Sequence, residues 1–322
     1  MSDIKKKLIS IYLAKYLNQI KKIKKFNNLN QKTKYYVIAT SKKKGFFSLL
    51  LFVLNHIKYA KKQKLIPVID MKHHQTLYNE NKIIFGTKNS WEYYFKKINK
   101  INIDKIYKNK KFKFCKDENI ITKNNKFNLS LKNIYTKYIR INNNILIKYR
   151  AHKARIFKKN DKILGIHFRG TDMKYSPGHP LPPSKKQISE KIKNLLKKYH
   201  FNKIFLVTED INNFNFILSN FSNYSIFHIN NYKTSKLKVF DTNHRKYHKY
   251  KMGEEALINS LLLSNCNLLI SSQTGISDFA KFLNPSLKLF KIDNGFNSNS
   301  IFLSLFKWQV KKILPKSLGG FH

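Results

Sequence analysis

Gly165-Ile166-His167-Phe168-Arg169-Gly170-Thr171-Asp172 opens as an apolar strand and delivers His, Arg, Thr and Asp at its carboxyl end. Outward from this stretch the chain alternates strand and helix. Strands are expected at Ile163–His167, Ile204–Val207, Ile226–Ile229, Leu268–Ser271 and Leu287–Phe290. Helices are expected at Lys185–Tyr199, Asn212–Asn220, Glu254–Ser264 and Ile276–Leu283. That rhythm predicts a doubly wound α/β domain, in which ligands sit beyond the carboxyl ends of the parallel strands.

The preceding half begins the same way. Tyr35–Ala39 reads as a buried strand, a Lys-rich turn ends at Gly45, and Phe46–Ala60 reads as an apolar helix before a second strand, Leu65–Asp70. Strand, glycine turn, helix and strand form a βαβ unit. Trp91–Phe95 reads as part of a helix, Tyr107 to about Asn128 as loop, and about Leu131 to Phe157 as one long helix. Lys158–Asp161 breaks that pattern. The expected fold is therefore α/β with two Rossmann-like domains, residues 1–158 and 159–322, whose parallel sheets face a central cleft. At the N-terminus, Ile4, Leu8, Ile11, Tyr16, Ile20 and Ile23 recur at helical spacing among lysines. Such a basic amphipathic helix suits either packing on the neighbouring domain or contact with an anionic membrane surface.

Composition narrows the function classes. Hydrophobic residues make up 42% of the 322 residues, which is incompatible with disorder throughout. The 64 Lys+Arg against 17 Asp+Glu leave a formal charge of +47, a field that concentrates anionic ligands. Much of this follows a general bias toward Lys, Asn and Ile, as from AT-rich codons, and the lysines are scattered along the chain. Against that background arginine is rare: Arg140, Arg150, Arg155, Arg169 and Arg245. A retained arginine suggests a need for a planar, bidentate donor. Cys115 and Cys266 have no metal-ligand spacing and suit reduced, structural thiols. The most apolar run, Gly45–Leu54, falls short of the about 20 residues that a membrane span needs. With no signal-peptide pattern either, a cytoplasmic protein is expected, resting in one variant on the inner face of the membrane.

Three strand ends carry the candidate chemistry. Arg169 can grip a diphosphate, Asp172 can orient Arg169 or take a proton, and His167 can hydrogen-bond a base or sugar. An Arg169–Asp172 ion pair with a buried histidine explains the same residues structurally. Phe205-Leu206-Val207-Thr208-Glu209-Asp210 ends a second strand in polar and acidic groups, with Thr208 and Asp210 as ligand candidates. Leu268 to Ser277 ends a third in Ser271, Ser272, Gln273 and Thr274 just before a helix, which is either an anion site or plain N-capping. Their convergence in one domain favours a nucleotide-diphosphate cleft.

Taken in order, HFRGTD, FLVTED and LISSQTGIS resemble the three motifs of the fucosyltransferases, including the α-1,2, α-1,6, protein O- and nodulation-factor enzymes. The resemblance covers about Gly165 to Pro285. Upstream, Gly45-Phe46-Phe47-Ser48 and Pro67-Val68-Ile69-Asp70 are similar to that family's N-terminal glycine loop and second strand. It implies a GT-B fold, GDP-fucose or a related GDP-sugar as donor, and inversion without a metal or other cofactor. The matching positions put Arg169 on the β-phosphate, His167 on the nucleotide, and Ser272 and Gln273 on phosphate. A helical position that is often acidic and faces the guanine corresponds to Asn259. No Asp-x-Asp manganese clamp is found.

The departures lie close by. Gly170 stands where α-1,6 members have a second arginine, Met173 replaces a lysine, and Lys174–His179 contains no carboxylate to serve as base. Asp172, His179 and a carboxylate of the N-terminal half remain as base candidates. His244 and His248 have zinc-like i, i+4 spacing, but Arg245 occupies the position of the metalloprotease glutamate, so a surface pair is expected. The loop Lys236–Lys251 is alternatively a cover for the donor. His73 and His74 read as helix surface on the acceptor side. An inverting glycosyltransferase acting on a cell-envelope glycan or lipid-linked acceptor, with no nucleic-acid partner, is the leading expectation. A non-catalytic basic protein holding RNA or anionic membrane is the alternative.

Overall fold

The structure, a computed structural model, describes residues 34–40, 43–109, 112–115, 126–235 and 245–322. The expected N-terminal helix lies outside them, as do His244 and much of the loop ahead of it. In the first half, β1 (Tyr35–Ile38), α1 (Phe46–Lys62) and β2 (Ile66–Ile69) form the expected βαβ unit. It is followed by α2 (Trp91–Tyr94), α3 (Ile103–Asn109) and β3 (Phe112–Phe114). The sheet is parallel with order β2-β1-β3, and Val37 registers with Val68 on one side and Phe114 on the other.

Two expectations fail here for local reasons. The stretch from Tyr107 was read as loop, yet α3 and β3 enter it. Phe112 and Phe114 point inward around exposed Lys113, a pattern too short to separate from noise, and Tyr107 meets Phe112 edge-on at 5.1 Å. The single helix read over Leu131–Phe157 is two, α4 (Leu129–Tyr138) and α5 (Asn143–Ile156). Between them the backbone is diverted to its neighbours: Lys96 N–H donates to Arg140 O and Asn142 N–H to Tyr94 O. Those interstrand-type bonds replace the helical ones that Ile139–Asn142 would otherwise make.

The second half follows the expected alternation. Its elements are β4 (Ile163–His167), a 3-10 turn (Thr171–Lys174), α6 (Lys185–Lys198), β5 (Lys203–Val207), α7 (Ile211–Asn220) and β6 (Ser225–Phe227). Then come α8 (His248–Leu263), β7 (Leu268–Ser271), α9 (Gly275–Leu283), β8 (Lys288–Lys291) and α10 (Ile301–Ile313). The five-stranded sheet is parallel with order β6-β5-β4-β7-β8, so the strand carrying HFRGTD is central. All five of its residues are buried, as suits a parallel strand covered on both faces. Helix α6 starts with a capping box between Ser184 and Gln187.

The main hydrophobic core is not divided at Lys158–Asp161, which is a turn between α5 and β4. One cluster runs from Tyr36 and α1 through α8 and α9 to Leu287. Phe47 of α1 stacks on Phe279 of α9 at 4.8 Å, Tyr94 Oη donates to Tyr250 O, and Lys148 pairs with Glu254 at 2.8 Å. Burying each such large apolar side chain contributes roughly 1.5–3 kcal/mol. No helix among the described residues is long and apolar enough to cross a membrane.

Candidate active site

Strand β4 fixes the centre of the site. His167 is its last residue, and Phe168 N–H continues the ladder by donating to Val207 O, which holds Arg169 just past the sheet edge. The chain then turns sharply: Thr171 has φ +37, and its hydroxyl and the Gly170 N–H both donate to Glu209 Oε1. Left-handed backbone at a β-branched residue is strained, and the Glu209 bonds hold it. Arg169 is thereby set between two carboxylates, with Nη2 at 3.0 Å from Asp172 Oδ1 and Nε at 3.4 Å from Glu209 Oε1. Its Nε is buried without a hydrogen bond.

The electrostatics follow from burial and charge together. Burial pulls the Arg169 pKa down, but Asp172 and Glu209 outweigh it and the net shift is upward. Burial raises Asp172, Arg169 more than offsets this, and its carboxyl ends below the usual range. The pair is therefore ionised at neutral pH. His167 is pushed down to about 3, first by burial and then by the Arg169 charge, so it is neutral. Its Nδ1 lies 3.0 Å from Thr274 Oγ1 and 3.3 Å from Ser271 Oγ, which ties β4 to the start of α9.

These groups line an open cleft of ≈ 350 Å³ between the two halves. That is within the range of sites for small organic ligands. One wall is the start of α9, Thr274 to Ile276, where Thr274 caps the helix by accepting from Ser277 N–H. Opposite stands the start of α1, Gly45 to Ser48, whose N-cap Gly45 offers no side chain to its own helix. The N–H groups and dipole of each helix start favour an anion between them. A third wall is α8, with Met252, Glu255, Ala256 and Asn259, and Tyr232 beside it. Asn259 Oδ1 is buried with no partner. Tyr78 closes the floor, and burial raises its phenol pKa.

Of the residues singled out from sequence, the structure brings Gly45, His167, Arg169, Asp172, Thr208, Asn259 and Thr274 into this cleft. Asp210, Ser271, Ser272 and Gln273 do not line it. Asp210 is the N-cap of α7, accepting from Asn212 and Asn213 N–H, and its other oxygen faces Lys174 at 3.2 Å. Ser271 pairs in register with His167 inside the sheet. Ser272 is fully buried behind the helix start, although its Oγ has no partner. Gln273 is half-buried outside the cleft.

Sequence reasoning missed Glu209, Glu255, Tyr78, Asn231 and Tyr232. Glu255 had a usable signal: it lies four residues before Asn259, hence on the same helical face. It receives Arg245 Nη1, whose guanidinium also lies 5.3 Å over the Tyr232 ring. Of the five arginines, Arg169 lines the cleft and Arg245 braces two residues that do, whereas Arg140 and Arg155 bond backbone carbonyls elsewhere. The expected surface pair at His244 and His248 is half wrong. His248 is buried against Tyr232 at 5.1 Å, because it begins α8 and faces the core. The expected helix-surface His73 instead meets buried Asp70 at 3.0 Å, beyond the end of β2. Three carboxylates line the cleft, Asp172, Glu209 and Glu255, all from the C-terminal half. Cys115 and Cys266 are both buried and neither is in a disulfide, consistent with the reduced, structural thiols expected. Among the described residues no group of three or more His, Cys, Asp or Glu is placed to hold a metal ion.

No family model matches the chain, and no curated protein matches it. Solved structures do. The α-1,6-fucosyltransferase NodZ co-crystallised with GDP aligns with a TM-score of 0.57 at 15% identity, over 81% of this chain and 96% of that one. The same enzyme soaked with GDP-fucose aligns with a TM-score of 0.53 at 15% identity, over 79% and 94%. The selenomethionine form of fucosyltransferase NodZ from Bradyrhizobium aligns with a TM-score of 0.54 at 15% identity, over 81% and 95%. At this identity the likeness is one of fold, and the chain has the GT-B-like α/β architecture of those proteins.

Proposed function

We propose that the chain is an inverting glycosyltransferase that takes a sugar, fucose or a close relative, from a GDP-linked donor in this cleft. The observation that carries the reading is Arg169, held between Asp172 and Glu209 at the end of the central strand and facing the start of α9. A guanidinium fixed by two carboxylates is pre-organised for the charge that develops on a departing diphosphate. The helix start adds N–H donors on the same side. The choice of a GDP-sugar is supported by the NodZ structures of the same fold, which contain GDP or GDP-fucose.

In this reading Arg169 and the α9 start take the diphosphate, and no metal is required for that neutralisation. Neutral His167 offers a hydrogen bond without adding charge. Glu255, Asn259 and Tyr232 form the nucleobase end. Asp172 acts through Arg169: ionised and paired, it orients the guanidinium. The acceptor hydroxyl attacks the anomeric carbon and gives up its proton to a carboxylate of the cleft, the bond to the β-phosphate oxygen breaks, and GDP leaves with inversion. The acceptor is a glycan or a lipid-linked glycan, entering beside the N-terminal half.

The test is thermal stabilisation of the purified protein by GDP, GDP-fucose, GDP-mannose, UDP and UDP-glucose without added metal. A ligand that binds only the folded state raises its melting temperature. Stabilisation by GDP and GDP-fucose is expected; none by any nucleotide sinks the proposal.

A further inference from the structure

Helix α10 presents an apolar face to solvent. Ser304 and Trp308 point inward, Trp308 Nε1 donating to Pro182 O and Ser304 Oγ to Tyr175 O. On the other side the helix exposes seven large apolar residues, Phe302 and Phe306 among them, from 43% at Leu305 to 83% at Ile313. Isolated exposed apolar residues are ordinary, but seven along one helix make an unusually apolar face. From Asn294 to His322 the chain carries four lysines, Lys307, Lys311, Lys312 and Lys316, and no carboxylate. Helical spacing puts Lys307, Lys311 and Lys312 at the margins of the apolar face, between it and the protein body.

We infer that this face docks the protein on an anionic lipid bilayer, with the aromatic and aliphatic side chains in the headgroup–acyl boundary and the lysines on the headgroups. Amphipathic helices that lie in a membrane interface have this division of apolar face and basic flanks. The alternative occupant, a second copy, fits less well. A copy would bring the same lysines and the same +47 charge against themselves. An anionic bilayer supplies the opposite charge.

The docking face bears on the site. The inner side of α10 rests on the segment that continues from the 3-10 turn of Asp172: Asn297 Nδ2 donates to Lys174 O, and Lys174 Nζ lies 5.1 Å over the Trp308 ring. Resting on the proposed function, this geometry sets the cleft beside the membrane plane, where a lipid-linked acceptor is presented.

The test is co-sedimentation of the full chain with vesicles, without nucleotide. Vesicles of phosphatidylcholine with phosphatidylglycerol are compared with phosphatidylcholine alone, using wild type and the double variant Phe302→Ser, Phe306→Ser. The two rings are exposed, so the variant should keep the wild-type melting temperature. Wild type is expected to bind the anionic vesicles, to bind neutral ones far less, and to lose about tenfold or more of its affinity in the variant. Equal binding by wild type and variant overturns the inference, since adsorption would then come from diffuse charge. So does a wild-type dimer in sedimentation velocity that the variant abolishes while no vesicle binds, which would make the face a self-interface. Failure of either kind leaves nucleotide stabilisation unaffected and so is separable from failure of the proposed function.

Discussion

A Cβ on Gly170 would lie 2.4 Å from Oδ2 of Asp210 and 2.9 Å from its Cβ, so the backbone of the Arg169 turn is in contact with the cap of α7. Asp210 cannot step aside cheaply, because it caps α7 and faces Lys174. A larger side chain at position 170 therefore has no room in this turn. Gly170→Ala is expected to destabilise the protein by about 1–3 kcal/mol through overpacking, as read by chemical denaturation. A variant as stable as wild type would mean that the turn has slack.

Arg169→Ala should abolish stabilisation by GDP and GDP-fucose while changing unfolding free energy by about 1 kcal/mol or less. The ion pairs it breaks are partly exposed and worth little to the fold. Arg169→Lys should not restore binding, because a point charge does not reproduce the planar fork that both carboxylates and a diphosphate engage. Undiminished nucleotide shifts in the alanine variant would remove Arg169 from the site.

Asn259→Leu separates stability from binding. Asn259 Oδ1 is buried and unpartnered, a cost of about 1–3 kcal/mol that an apolar side chain of similar volume avoids. The variant should melt above wild type and respond less to GDP. A lower melting temperature with full nucleotide response would show that the amide serves the fold instead.

Acid should destabilise the protein through its buried imidazoles. His167 is held at about 3 and His56 at about 4, in both cases mainly by burial, against 6.5 for a free side chain. Below about pH 6.5 the unfolded chain takes up protons that these residues refuse, so stability falls as pH drops. The loss reaches about 1.4 kcal/mol per pH unit for each histidine, until the folded pKa is reached. His167→Gln should flatten the profile of melting temperature between pH 6.5 and 4. An unchanged slope would indicate that His167 is charged in the fold.

What could be read from the sequence is what short-range pattern encodes. Ile163–His167 and Leu268–Ser271 were placed to the residue, because buried parallel strands are apolar runs with abrupt polar ends. The order of those strands in space set Arg169 and Thr274 in one cleft, as expected. The errors fall where tertiary contacts decide. Asp210 and Glu209 are adjacent acids, and only the path of α7 determines which one caps and which one faces the cleft. The interruption at Ile139–Asn142 depends on bonds to Tyr94 and Lys96, some 45 residues away by chain position. Glu255 and Tyr232 meet Arg245 only once the loop after β6 and the start of α8 are brought together, and no local spacing announces that.

The C-terminal helix has a consequence for any shortened form of the chain. Asn297, Ser304 and Trp308 satisfy the carbonyls of Lys174, Tyr175 and Pro182, so α10 acts as a splint along the segment leaving the Arg169 turn. Removing residues 295–322 would strip the Lys174 and Tyr175 carbonyls of these donors, leave Pro182 O to Asn294 Nδ2 alone, and expose Leu181. A truncated protein should therefore lose nucleotide stabilisation even though no residue of the tail lines the cleft, and limited proteolysis should cut it first between Lys174 and Pro182.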